Sequence, residues 1–121
     1  MANRIPIQMP LAFTQGETFV TPKYFPLDEN GVAFNLTAAT AHLQARSAPD
    51  ASSAAMDLTE STGVDIDTAD NSFRINVDEA VTALVTAGTY VFDLFLQLAS
   101  GRRILAMTGT LTVKHAVTTF P

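Results

Sequence analysis

Residues 89–98 have the sequence Thr-Tyr-Val-Phe-Asp-Leu-Phe-Leu-Gln-Leu, the longest strand-like segment of the chain. Large apolar side chains occupy every second position from Tyr90 to Leu98, the period that places them on one face of a β-strand. Val91 and Phe95 are apolar on the opposite face as well, and this pattern is typical of a strand in the middle of a sheet. The segment therefore predicts a β-sheet protein with residues 89–98 as a central strand.

Shorter segments on either side follow the same period of two. Residues 39–46 and 72–77 alternate between apolar and polar side chains, and Asp-Glu-Asn-Gly at 28–31 is a strong hairpin signal. The rhythm breaks at residues 78–86, where Asp78 is suited to begin a helix. We therefore expect an all-β protein, an antiparallel β-sandwich of Ig-like or jelly-roll-like type, with one short helical segment near 78–86.

The chain has 121 residues, a length that suits one domain. The predicted organisation is an extended N-terminal arm at 1–10, a single domain at 11–118 and a C-terminal tail at 119–121. Prolines alternate with apolar residues in the arm and limit its sheet pairing, so the arm is expected to lie on its own domain or on a neighbouring subunit. The candidate partner-contact residues are Ile5, Ile7, Met9, Val117 and Phe120.

The composition excludes several classes of function. The net charge is −5, and the seven basic residues are scattered, so neither nucleic acid nor an anionic membrane surface is an expected partner. The chain has no cysteine, which excludes disulfides, thiolate metal sites and cysteine nucleophiles. Only 16% of the residues are charged, and such a surface loses its water at low cost when it packs against neighbours.

Three groups of residues are candidates for a metal or catalytic site. The acidic stretch 65–71 lacks the ligand spacing of a calcium loop, and we interpret it as a solvated strand and turn. His42 and His115 lie on separate strands, too few for a zinc site. Asp93 lies within the central strand, where pairing with Arg46 or Arg103 is expected to satisfy its charge. The sequence therefore predicts no catalytic residue, no metal and no cofactor, and the protein is not expected to be an enzyme.

A resemblance to a known family depends on several short pieces in a fixed order. These pieces are Gln15–Phe19, Phe34–Thr37, Ala41–Arg46, Asp57–Thr59, Ala80–Leu84, Ala87–Leu94, Gly101–Leu105 and Gly109–Val113. In this order they resemble small β-sandwich proteins of tailed bacteriophages, similar to the N-terminal domain of baseplate upper proteins and to head-decoration proteins. The resemblance spans about residues 11–118, and the family more often has tyrosine at the position of Phe92.

The resemblance implies a structural role in the virion without catalytic residues. The hypothesis is a head decoration or cement protein, or a tail or baseplate accessory, that acts through contacts with capsid, tail or baseplate subunits. Such a protein is expected to be homo-oligomeric in the particle, to be made in the host cytoplasm and to reside in the virion. The alternative hypothesis is a carbohydrate-binding β-sandwich module, which requires exposed aromatic side chains.

Overall fold

A computed structural model describes residues 2–118 and contains 50% strand and 3% helix, which confirms the all-β class. The elements, in chain order, are β1 (Ala2–Arg4), β2 (Ile7–Gln8), β3 (Leu11–Thr14), β4 (Phe19–Val20), β5 (Phe25–Leu27), β6 (Thr40–Arg46), β7 (Met56–Thr59), β8 (Val64–Asp67), β9 (Ser72–Val77), α1 (Glu79–Thr82), β10 (Gly88–Gln97) and β11 (Arg103–Lys114).

The largest sheet has the strand order β2-β11-β10-β6-β7. Its central strand is β10, which pairs antiparallel with β11 on one side and with β6 on the other. The position of residues 89–98 in the middle of this sheet is therefore confirmed. A register shift opposite Leu94 and Phe95 marks a bulge in the pairing with β11.

The N-terminal segment pairs parallel to its neighbours, so the expectation of a wholly antiparallel fold is wrong at this point. Ile7 of β2 is opposite Met107, and Leu11 of β3 is opposite Leu111, both on the free edge of β11. Pro10 lies between the two short strands and has no N–H to donate, which explains why the pairing is interrupted there. β1 also pairs parallel, with β5.

A second, three-stranded antiparallel sheet has the order β4-β9-β8. Pro22, which has no N–H to donate to a sheet, lies between β4 and β5. The residues on either side of it still contact β9, because the Thr21 amide donates to the Ile75 carbonyl at 2.9 Å and the Tyr24 amide to the Phe73 carbonyl at 2.7 Å. β4 is an edge strand of this sheet, the position in which a proline is tolerated.

Both sheets contribute side chains to one hydrophobic core. From the large sheet, β6 contributes the predicted inward set Ala41, Leu43 and Ala45, and β10 contributes Leu94 and Leu96. The fully buried apolar members from the smaller sheet are Val64, Phe73, Ile75 and Val77. Burial of a side chain of this size stabilises the fold by about 1.5–3 kcal/mol, so the core is the main source of stability.

The helical turn α1 lies inside the segment predicted to be helical. It is attached to the turn after β3 through Thr82, whose side chain is fully buried. The Thr82 hydroxyl donates to the Glu17 carbonyl at 2.8 Å and accepts from the Gly16 amide at 3.1 Å. This side chain thus joins segments that are far apart in the sequence.

Candidate interaction surface

The face of the large sheet that points away from the core forms an open concave surface of about 800 Å³, called here the outer groove. Because side chains alternate along a strand, its floor consists of the residues of β6 and β10 that the core does not use. Its lining includes Thr40, His42, Gln44, Arg46, Val91, Asp93, Phe95, Gln97, Arg103 and Thr108.

Phe95 lines the outer groove with 40% of its surface exposed. In the sheet register it is opposite His42 on β6 and Leu105 on β11. The ring therefore presents a flat apolar surface between an imidazole and a partly buried aliphatic side chain. The sequence carries a signal for this exposed ring, since Phe95 breaks the alternation of β10, although the same signal also indicates a central strand.

A chain of hydrogen bonds joins two strands, β6 and β7, beside this ring. Asp57 of β7 accepts from the Gln44 amide nitrogen at 2.9 Å and lies 2.6 Å from His42 Nε2. Gln44 in turn accepts from Arg46 Nη2 at 2.9 Å, and Arg46 Nη1 donates to the Ala51 carbonyl at 3.1 Å. These contacts hold four polar side chains in fixed positions on adjacent strands.

The charge on Asp57 is stabilised by the same contacts. The hydrogen bond from Gln44, followed by that from His42, holds the pKa of this carboxyl below its ordinary value of 3.8. Asp57 is about half exposed, so water screens the charge and limits its effect on stability. The carboxylate acts mainly to orient its two neighbours.

Asp93 is unpaired, contrary to the sequence-based expectation. No ion pair joins it to Arg46 or Arg103 in the part of the chain that the structure describes. Arg46 is directed toward Gln44 and Ala51, and Arg103 donates to the Gln97 side-chain oxygen at 3.0 Å. Asp93 is exposed on the floor of the groove.

The candidate contact residues of the N-terminal arm lie against their own domain. Ile7 is only 4% exposed, and Ile5 and Met9 are partly buried against the core. The Met9 amide donates to the Thr108 carbonyl at 3.0 Å, which fixes the segment along β11. In this conformation the arm lies on its own domain, the first of the two expected alternatives. Its contact with a partner stays a prediction.

The C-terminal candidates differ from those of the arm. Val117 is completely exposed, with a relative accessibility of 101%, and is free to contact a partner. Phe120 lies outside the described residues. The contact role of both residues stays a prediction.

The acidic stretch 65–71 is neutralised from within the chain. The Lys23 ammonium lies 2.7 Å from an Asp67 oxygen and 3.0 Å from an Asp70 oxygen, and these contacts raise the pKa of the lysine. The lysine also holds the pKa of Asp67 below its ordinary value. Asp65 is paired separately, with Arg74 at 3.5 Å. A lysine therefore holds the position in which a cation would bind Asp67 and Asp70.

Comparisons with known proteins add no assignment. No protein-family model matches the chain, and no curated protein matches it. Within residues 2–118, no helix is long and apolar enough to span a membrane, and no cluster of three or more metal-ligating side chains occurs. A functional proposal must therefore depend on the sequence resemblance and on the surface of the fold.

Proposed function

We propose that this protein is a non-enzymatic structural protein of a tailed-bacteriophage particle, either a head decoration or cement protein or a tail or baseplate accessory. The resemblance of residues 11–118 to small virion proteins supports the proposal. The all-β fold is compatible with it, and within the proposal the two sheets that share a core form an Ig-like or jelly-roll-like β-sandwich.

The observation that carries the proposal is the exposure of large apolar side chains outside the core. Leu84 is 85% exposed and Val117 is 101% exposed, and Val81, one helical turn before Leu84, is 37% exposed. A single exposed apolar residue is ordinary, but Val81 and Leu84 are neighbours one helical turn apart, and an exposed apolar pair in a chain of low charge favours burial against a partner.

The proposed partners are other virion proteins, namely capsid or tail and baseplate subunits, and further copies of the chain within the particle. A particle repeats one chain many times, so a small contact per copy is multiplied over the assembly. The proposed location is the virion, after synthesis in the host cytoplasm. Nucleic acid and membrane are not among the proposed partners.

A pull-down with assembled capsids and, separately, assembled tails of the phage that encodes the protein tests this proposal. We expect the purified chain to co-sediment with one of the two. The double variant Leu84→Ser, Val117→Ser should lose most of this binding because it removes the exposed apolar contacts. Val32→Ser is a matched control, since Val32 is 59% exposed in the hairpin after β5. Failure to bind either assembly would refute the proposal.

The alternative function is a carbohydrate-binding β-sandwich module. The observation that favours it is the outer groove, where Phe95 is exposed beside ordered polar side chains. A glycan array distinguishes the two functions. A stand-alone carbohydrate-binding module is expected to bind a glycan on the array and to have no affinity for phage assemblies.

A further inference from the structure

We propose that the outer groove is a binding site for a short neutral oligosaccharide. This proposal rests on the alternative function above, whose ligand class it names, and a virion structural role does not require such a site. It stands on three properties of the groove: its size, its combination of one aromatic ring with fixed polar groups, and its charge.

The size of the groove suits a small organic ligand. Ligand sites in proteins have volumes of about 300–1,000 Å³, and the outer groove has about 800 Å³. Its floor is formed by β6 and β10, and both strands are paired along both edges, which favours a rigid backbone beneath a ligand.

The chemistry of the lining matches the two surfaces of a sugar. A pyranose ring has an apolar C–H face, and Phe95 presents an exposed ring on which such a face can pack. A sugar hydroxyl both donates and accepts hydrogen bonds. The lining offers donors on Arg46 and acceptors on Asp93, whose carboxylate has no hydrogen-bonding partner among residues 2–118.

The polar groups are held in place before any ligand binds. Arg46, Gln44, Asp57 and His42 form one continuous hydrogen-bonded chain, with successive separations of 2.9, 2.9 and 2.6 Å. Surface side chains of this length are usually mobile, and ordering them on binding reduces affinity. Here that ordering is already present in the free protein.

The charge of the lining indicates a neutral ligand. Two arginines, Arg46 and Arg103, share the lining with two carboxylates, those of Asp93 and Glu60. The arginines are therefore not in excess, and the exposed Asp93 carboxylate repels an anion. A phosphate, a sulfated glycan or a uronic acid is disfavoured for this reason.

Titration of the ¹⁵N-labelled full chain with maltotriose, cellotriose and triacetylchitotriose, followed by amide chemical shifts, tests the inference. We expect at least one of these probes to shift the amides of β6 and β10 selectively. Phe95→Ala should weaken that binding about tenfold, which corresponds to roughly 1.4 kcal/mol of ring contact. Leu84→Ala is the matched control, because it removes an exposed apolar side chain outside the groove.

Three outcomes would overturn the inference. These are the absence of shifts with all three trisaccharides, shifts that map away from the groove, and binding that Phe95→Ala leaves unchanged. If Phe95→Ala instead abolishes binding to capsids or tails while no trisaccharide binds, the groove is a protein contact. That result refutes the saccharide site and supports the virion role, so the two proposals fail separately.

Discussion

Replacement of Gly109 by alanine tests how closely the backbone of the N-terminal segment packs against β11. An added Cβ at this position would lie 2.1 Å from the carbonyl oxygen of Met9 and 2.9 Å from its carbonyl carbon. Both atoms belong to the backbone, so no side-chain rotation can relieve the contact. The segment around Met9 must therefore move away from β11.

The expected cost follows from what this movement disrupts. Ile7 leaves the core, which costs about 1.5–3 kcal/mol, and the hydrogen bond from the Met9 amide to Thr108 contributes about 0.5–1.5 kcal/mol. Alanine offsets about 0.4–1 kcal/mol by reducing the freedom of the unfolded chain. We expect a net loss of about 1–4 kcal/mol in the free energy of unfolding, and a fall in melting temperature on the order of 10 °C.

The assay is urea unfolding of four proteins: the natural chain, Gly109→Ala, a deletion of residues 1–10, and the combination of both changes. In the deletion background the clashing carbonyl is absent, so Gly109→Ala should cost nothing there. Thr110→Ala is the matched control, because Thr110 is exposed on the same strand. The reasoning is refuted if Gly109→Ala costs the same with and without residues 1–10, or if it is neutral in the full chain.

Two further outcomes are expected. Thr82→Val preserves the shape of the side chain but leaves the Glu17 carbonyl and the Gly16 amide without their hydrogen-bonding partner. The free energy of unfolding measured by urea titration should therefore fall by about 1–3 kcal/mol. An unchanged urea midpoint would contradict this. Carboxyl NMR should give Asp57 a pKa below 3.8. Because the side chain is half exposed, its ionised form adds at most a few tenths of a kcal/mol to the free energy of unfolding. That stabilisation is present above pH 3.8 and is lost as the pH falls through the pKa of the folded state. Asp57→Asn should therefore make the acid-unfolding limb shallower, and a pKa at or above 3.8 would count against the hydrogen-bond network.

Strand positions were predictable where one face of a strand meets the core. Leu43 on β6 and Leu94 on β10 are buried as their alternation indicates, because a period of two leaves only one choice of face. The helical turn near 78–86 was also predictable from the break in that period. These features are encoded in neighbouring residues, which a single sequence contains.

Pairings between distant segments were not predictable in the same way. Nothing local to Ile7 shows that β2 lies parallel to β11, because the partner, Met107, is a hundred positions away in the chain. Asp93 illustrates the same limit for the site. Opposite charge predicts an arginine partner for Asp93. In the structure, however, Arg46 and Arg103 donate hydrogen bonds to the neutral side chains of Gln44 and Gln97.

The edge of β11 that receives β2 and β3 has a consequence for biosynthesis. β2 and β3 are translated long before the strand that accepts them, which spans Arg103–Lys114. They must therefore remain without this partner until β11 has been synthesised, and such distant pairing is slow to form. A nascent chain that stops before β11 lacks the strand edge on which Ile7, Leu11 and Phe13 are placed, so their burial there requires β11.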